Sequence, residues 1–443
     1  LLWLLLALAP FLGLVAALYM WYVDVPFRDD FAEVPLVARS FDGTLAFADL
    51  WASHSEHRAV FPRLLVIANA HLTGWDTSYE AALQVLFAAG ILALLLGQVS
   101  RTWRACAQAS PPWLPVLFSL ALFSLGQWEN WFWGGCLSMT LCLLSSVAAL
   151  VLLCSPRFRW FRLLAAVALA VVGTYSLGPG VTAWPVGLLV LLLQVRSDRR
   201  YLTQAVPVWL AVSAANYVAY THNFHATEGN ASPYLALAQP GQFLTYVTCY
   251  LGAPLWFWLN PGAQFLGTVG LLAVPVLSWY LLCRRRMPLA GLLPWLAVYL
   301  YAVGNAVMTG LGRLQLGMHQ GLSSRYIPVG TLLWVVLAAL LALALATAGP
   351  APLPRRALRT GLATLAFLAM AFFLVDASVH GLPWAIRRSI QLNIAIEGLR
   401  AGDPAQTADF FGTPEQLAEG RALLIRHRLS IFRPGVPAPP RSP

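Results

Sequence analysis

The sequence predicts an all-α, polytopic transmembrane helical bundle of about 11 spans, and three observations predict it. Hydrophobic residues fill 59% of the 443 positions and charged residues only 10%, where a soluble domain has about 45–50% and about 25%. Mean hydropathy is +0.68. Apolar runs recur along the whole chain, each close to the ~20 residues that a membrane helix needs. This composition excludes a soluble globular protein, a disordered chain and a coiled coil. The ~10-residue alternating segments of a membrane β-barrel do not appear.

The runs place spans at about 1–22, 79–100, 113–127, 135–154, 160–175, 181–195, 203–221, 263–283, 289–308, 327–347 and 358–379. Several are short, so tilted, broken or re-entrant segments are expected among them. Leu1–Met20 lacks a basic flank and is long for a cleaved signal, so it reads as a retained span. The formal net charge is +10, and all 28 basic residues are Arg. One set of loops holds Arg101, Arg104, Arg157, Arg159, Arg162, Arg196, Arg199, Arg200, Arg284–Arg286, Arg355, Arg356 and Arg359, against a single acid, Asp198. The positive-inside rule makes these loops cytoplasmic, with the N-terminus inside and the C-terminus outside. All eight His and the other acids then lie on the opposite, periplasmic side or beside it. Six Cys without a CxxC spacing predict neither a disulfide framework nor a zinc site.

The outer face carries the elaborated loops: 23–78 with an amphipathic stretch at Phe61–Leu72, the aromatic Gln127–Gly135, 222–262 with an interfacial helix near Phe243–Leu251, and 309–326. The inner loops are short connectors, so chemistry belongs outside. No Walker loop or GxGxxG is present to bind a nucleotide. Residues 1–380 form the membrane domain and 381–443 a small helical tail. In the tail, 387–400 reads as a helix. Thr413-Pro414-Glu415-Gln416 is a capping box with Pro at the first helical position, starting a helix to about Arg428. The Pro-rich end, PGVPAPPRSP, reads as disordered.

Several constellations can carry chemistry. Asp29-Asp30 are adjacent carboxylates between Phe27 and Phe31, suited to a nearby cation or to removing a proton from a hydroxyl; their bland alternative is a solvated turn. His54-Ser55-Glu56-His57-Arg58 and Arg63 precede the amphipathic stretch. Arg58 and Arg63 can grip a phosphate bidentately, and Glu56 or His57 can orient a carboxylate; snorkelling charges explain the same residues equally well. Trp128, Glu129 and Asn130 set a carboxylate and an amide among aromatics, as a sugar ring with C–H faces and hydroxyl edges would require; an interfacial belt accounts for the Trp residues alone. Arg325 and Tyr326 stand at a membrane boundary, where a lipid phosphate lies, with Arg313 and His319 upstream. No metal site is predicted. Asp29, Asp30, His222 and His225 are the residues that would hold a divalent ion such as Mg2+ or Mn2+ if one is used. Gly178-Pro179-Gly180 reads as a turn. Asp376, inside the last span, must face protein or water.

These features resemble the GT-C superfamily of integral-membrane glycosyltransferases, which includes the protein O-mannosyltransferases and the lipid A aminoarabinose transferases. In that class an acidic pair follows the first span and an amphipathic juxtamembrane helix comes next, as Asp29-Asp30 and Phe61–Leu72 do here. Ser324-Arg325-Tyr326-Ile327-Pro328 looks like the RY-type segment that enters a late span in such enzymes. QWENWFWG and FPRLL look like runs in uncharacterised bacterial GT-C-like proteins. The resemblance covers the span layout of residues 1–350. It implies inverting transfer from a polyprenyl-phosphate sugar to a lipid or cell-envelope glycan acceptor, at the periplasmic face of a bacterial inner membrane. Asp29 or Asp30 would be the base; Arg58, Arg63, Arg325 and Tyr326 would hold the donor phosphate; Glu56, His57, Trp128, Glu129 and Asn130 would hold the sugar or acceptor. The alternatives are a lipid-linked glycan flippase or transporter, and an envelope glycan ligase or polymerase. A transporter needs ionisable residues along a path through the bundle, whereas here they crowd one face.

Overall fold

The computed structural model describes residues 1–53, 57–223, 234–258, 260–347, 353–403, 405 and 407–435, with backbone alone at 353–356, 358, 359, 408 and 409. Among these the chain is all helix, with no strand. It runs through α1 (Leu2–Trp21), α2 (Val34–Phe41), α3 (Phe47–Trp51), α4 (Val60–Thr73), α5 (Ser78–Ala105), α6 (Trp113–Leu122), α7 (Trp128–Phe132), α8 (Leu137–Leu153), α9 (Trp160–Thr174) and α10 (Ala183–Gln194). It continues through α11 (Val206–Thr221), α12 (Tyr234–Ala238), α13 (Pro240–Gly252), α14 (Asn260–Trp279), α15 (Leu289–Arg313), α16 (Ile327–Ala346), α17 (Leu353–Ala401), α18 (Ala408–Phe411) and α19 (Pro414–His427).

Seven helical stretches among the described residues are long and apolar enough to cross a membrane: Leu2–Trp21, Ser78–Ala105, Gly134–Leu153, Asn260–Arg284, Leu289–Leu316, Ser324–Ala346 and Thr360–Ala401. This is a helical, multi-pass membrane protein. The remaining expected spans correspond to α6, α9, the stretch Gly178–Gln194, and a π-helical turn at Tyr201–Ala205 leading into α11. The run 113–127 does not stay helical throughout. Ser124 Oγ accepts from Gly126 N, and Gln127 Nε2 donates to the carbonyl of Leu122, which turns the chain out of α6 and into α7. A ten-residue α6 rises only about 15 Å, half of a ~30 Å hydrocarbon layer.

Burial follows from the apolar pattern. Helix α16 is apolar all round and is buried along almost its whole length, as such a helix must be. It packs against α13, α14 and α15. Helix α1 is equally apolar, yet among its residues only Leu14 and Ala17 are buried, so its outward face has lipid as its natural solvent.

The tail does not form a unit of its own. Helix α17 continues from the last span through Pro383 to Ala401, so the span and the helix expected at 387–400 are one element. Helix α19 starts at the expected capping box: Thr413 N donates to Gln416 Oε1, and Gln416 N to Thr413 Oγ1. Leu417, Leu424, Leu429 and Ile431 of the tail share one hydrophobic core with Phe27, Phe31, Val34, Val37, Ala70 and Trp75. Arg433 pairs with Asp24 and Asp76, and Ser430 N donates to the carbonyl of Gly74 at 2.8 Å. The last residues of the Pro-rich end, 436–443, lie outside the described residues.

Candidate functional site

The acidic pair owes its position to its aromatic neighbours. Phe27 stacks on Trp133 with ring centroids 5.5 Å apart, and Phe31 packs against Phe411 at 4.9 Å. With both rings anchored in the hydrophobic core shared with the tail, the turn between them sets Asp30 inward, where it is 8% exposed. Its Oδ2 accepts from Gly135 N at 3.0 Å. Asp29 stays exposed and lines the same pocket.

A second carboxylate meets Asp30 at the Gly134-Gly135 step. Glu80, in the first turn of α5, is 1% exposed, and its Oε1 accepts from Asn69 Nδ2 and Trp75 Nε1, both at 3.1 Å. A Cβ on Gly134 would overlap Glu80 Oε2 and lie 3.3 Å from Asp30 Oδ2; one on Gly135 would overlap Asp30 Oδ1. The two glycines therefore let two carboxylates approach one stretch of backbone. Burial, and next the neighbouring Glu80 carboxylate, hold the Asp30 carboxyl well above the usual range, with the Gly135 N–H opposing. A proton acceptor raised in this way is a stronger base at neutral pH. Gly135→Ala should destabilise the protein by about 1–3 kcal/mol, the ordinary cost of overpacking, and displace Asp30. A thermal melt of the purified variant that matches wild type would contradict this geometry.

Asp29 and Asp30 line a pocket of about 170 Å³ together with Glu33, His57, Arg63, Trp133, Arg313, Arg325 and Tyr326. The Arg325 backbone N–H donates to Glu129 Oε2 at 3.2 Å, and its Nε to Ser323 Oγ at 3.1 Å. Ser324 Oγ donates to the same Glu129 oxygen at 2.6 Å. The aromatic loop thus holds the Ser323–Tyr326 turn, and with it Arg325, at the pocket wall.

The pocket adjoins a groove of about 700 Å³ between α8, α10, α11 and α15. The groove's walls are chiefly apolar, with Leu188, Leu210, Trp184, Val181 and Leu311 among them. His57, Met139, Leu177, Arg313 and Tyr326 line both spaces. His57 is seated by the Gly178–Thr182 turn, whose Gly178 N–H donates to His57 Nδ1 at 3.2 Å. A chiefly apolar groove therefore lies beside a pocket lined by Arg313 and Arg325, with the Asp30 carboxyl in that pocket. That arrangement suits an amphiphile with a hydrocarbon tail and an anionic head.

No family model, curated protein or solved structure matches the chain.

Other residues singled out in the sequence have different places. Arg58 is 2% exposed, and its guanidinium donates to the carbonyls of Tyr220, Trp51 and His222. It fastens the first outer loop to the end of α11, which replaces the phosphate contact expected of it. Arg63 lines the pocket, but it forms a two-pronged ion pair with Glu33 and donates to the carbonyls of Asp49, Leu50 and Ala52. Its charge is already matched, so its first task is to brace the loop. Arg63→Leu takes its donor from the carbonyls of Asp49, Leu50 and Ala52 and should lower unfolding stability by about 1–3 kcal/mol; a denaturant midpoint equal to wild type would refute that role. Asn130 is buried and donates to the carbonyl of Ser324 at 3.0 Å, so it supports the turn in place of the sugar contact expected of it. Trp128 and Glu129 face a separate outer pocket. Asp376 pairs with His380 at 3.4 Å. Glu56 and His225 lie outside the described residues. Among the described residues no three His, Cys, Asp or Glu side chains converge as metal ligands; His222 is represented by the carbonyl that Arg58 holds.

Sequence reasoning missed Glu80 and the Gly134-Gly135 step. A signal for Glu80 was present: a carboxylate two positions into an apolar run is costly in lipid and needs a partner.

Proposed function

We propose that this protein is a membrane glycosyltransferase that moves a sugar from a polyprenyl-phosphate donor to a lipid or cell-envelope glycan acceptor, with inversion, on the periplasmic face of a bacterial inner membrane. The reading includes a GT-C-like arrangement of about 11 spans with the N-terminus cytoplasmic and the C-terminus periplasmic. The observation that carries it is that the apolar groove and the acid- and Arg-lined pocket lie side by side, with His57, Met139, Leu177, Arg313 and Tyr326 lining both.

The isoprenoid tail lies in the groove and the phosphate at Arg325 and Arg313. The acceptor hydroxyl attacks the anomeric carbon from the side opposite the phosphate. Its proton passes to Asp30, the bond from the anomeric carbon to the phosphate oxygen breaks, and polyprenyl phosphate leaves with the electron pair. The guanidiniums stabilise the charge that grows on the leaving phosphate.

A short-chain polyprenyl phosphate bearing a photoreactive group at its far end tests the placement. Cross-links at groove residues such as Leu188, Ser213 or Tyr217, removed by excess unlabelled polyprenyl phosphate, are the expected result. Labelling confined to the outward faces of α1 and α14 would overturn it.

A further inference from the structure

Beside the proposed transfer site lies a second pocket of about 520 Å³, lined by Arg28, Trp128, Glu129, Trp384, Arg387, Arg388, Gln391 and Phe410. It brings three guanidiniums together with one carboxylate, and that carboxylate is already engaged: Glu129 Oε2 accepts from Ser323, Ser324 and the Arg325 N–H. Among the described residues no carboxylate forms an ion pair with Arg28, Arg387 or Arg388.

Like charges are gathered here despite their repulsion, and aromatic rings hold them. The Arg388 guanidinium stands 5.6 Å from the centroids of both Trp128 and Phe410 and 5.7 Å from that of Phe27. Arg387 stands 5.9 Å from Trp384. Trp128 and Trp384 are nearly parallel, at 12°, with centroids 6.4 Å apart. A guanidinium held over ring faces keeps its edge N–H groups available, in the fork that fits a phosphate. A basic residue that only snorkels needs no such ring enclosure. The backbone fixes the third group, since Arg28 adopts a left-handed φ of 53° and its N–H is bound to the carbonyl of Phe410.

Neighbouring residues of the chain line the two pockets. Arg28 is followed directly by Asp29 and Asp30, which line the transfer pocket, and Glu129 on the other wall holds the backbone of Arg325. A molecule with its anionic group among the three Arg would therefore be anchored next to the proposed base.

Resting on the transfer reading above, we propose that this pocket binds a phosphate-class oxyanion carried by the acceptor, so that the enzyme selects acceptors that are anionic glycans or glycolipids. Arg28, Arg387 and Arg388 are binding residues here and take no part in bond breaking.

The test uses the full chain in phosphatidylcholine nanodiscs, titrated by calorimetry with glucose 1-phosphate and, as its neutral counterpart, methyl glucoside. Glucose 1-phosphate should bind at least ~10-fold more tightly than methyl glucoside. Arg388→Gln and Arg28→Gln should each remove about tenfold of that affinity, while Arg325→Gln leaves it in place. Loss in Arg325→Gln but not in Arg388→Gln would place the anion in the transfer pocket and overturn the proposal. Equal affinity for the neutral sugar would overturn it as well. Repeating the titration with phosphatidylglycerol in the nanodisc separates the sources: unchanged affinity supports an acceptor, and a tenfold loss by competition would assign the pocket to bulk lipid headgroups. Because binding is read without turnover, failure of this test leaves the transfer reading intact. Absence of transfer by wild type would remove the acceptor while the pocket's affinity remained.

Discussion

Asp30→Asn should lower the rate of sugar transfer about 10²–10⁴-fold, the range for loss of a positioned base, without unfolding the protein. Asn keeps an oxygen to accept from Gly135 N and has nearly the same volume, so the turn between Phe27 and Phe31 stays. The pH dependence gives a second readout. The Asp30 carboxyl lies well above its usual range, through burial first and Glu80 next. As base it must be ionised, so turnover should rise with pH through that raised value, and the remaining activity of the Asn variant should lack this limb. Stability should run the other way. A folded state that holds a proton more tightly than the unfolded chain is most stable below the ordinary carboxylate range and loses that advantage as pH rises through the raised value. Asp30→Asn should flatten that decline. A variant with full turnover and an unchanged pH profile would remove Asp30 from the chemistry.

Arg325→Gln should lower the rate about 10²–10³-fold, as loss of one preorganised donor at a developing oxyanion does, with a smaller effect on donor binding. The separation follows from where charge grows: the phosphate of the bound donor is already anionic, and the bond to the anomeric carbon adds charge only as it breaks. Glu129 accepts from the Arg325 backbone N–H, not from its side chain, so the turn should survive the substitution. A rise in KM with kcat unchanged would make Arg325 a binding residue only. Retained kcat and KM together would shift the leaving phosphate to Arg313.

What could be read from the sequence was what local chemistry determines. The amphipathic pattern of Phe61–Leu72 matches α4, and the Thr413–Gln416 pattern matches the start of α19. The position of Asp29-Asp30 between two Phe residues singled out a turn in which Asp30 is buried and Asp29 exposed. What could not be read depends on distant partners. Arg58 and Arg325 look alike in sequence, but three backbone carbonyls take up one guanidinium and a pocket receives the other. Asn130 reads as a ligand beside Trp residues, yet it is tied to Ser324 across nearly two hundred residues of chain. The sequence separates a span at 358–379 from a helix at 387–400, and between them stands Pro383, which lacks an N–H and crowds the preceding turn. The helix passes through it, braced where Ser378 Oγ meets Ser124 Oγ and Leu125 N. Glu80 belongs with Asp30 only because α5 and the aromatic loop meet at two glycines.

Transfer itself can be measured directly. Purified protein in lipid vesicles, supplied with mixed polyprenyl-phosphate sugars and an envelope-glycan fraction, would be followed by mass spectrometry for free polyprenyl phosphate, with wild type and Asp30→Asn side by side. The account predicts release by wild type alone, with the mass lost from the donor pool naming the sugar. Intact, diverse donor and acceptor pools with no release by either protein would contradict it, and movement of lipid-linked sugar from one leaflet to the other in the same vesicles would identify a flippase instead.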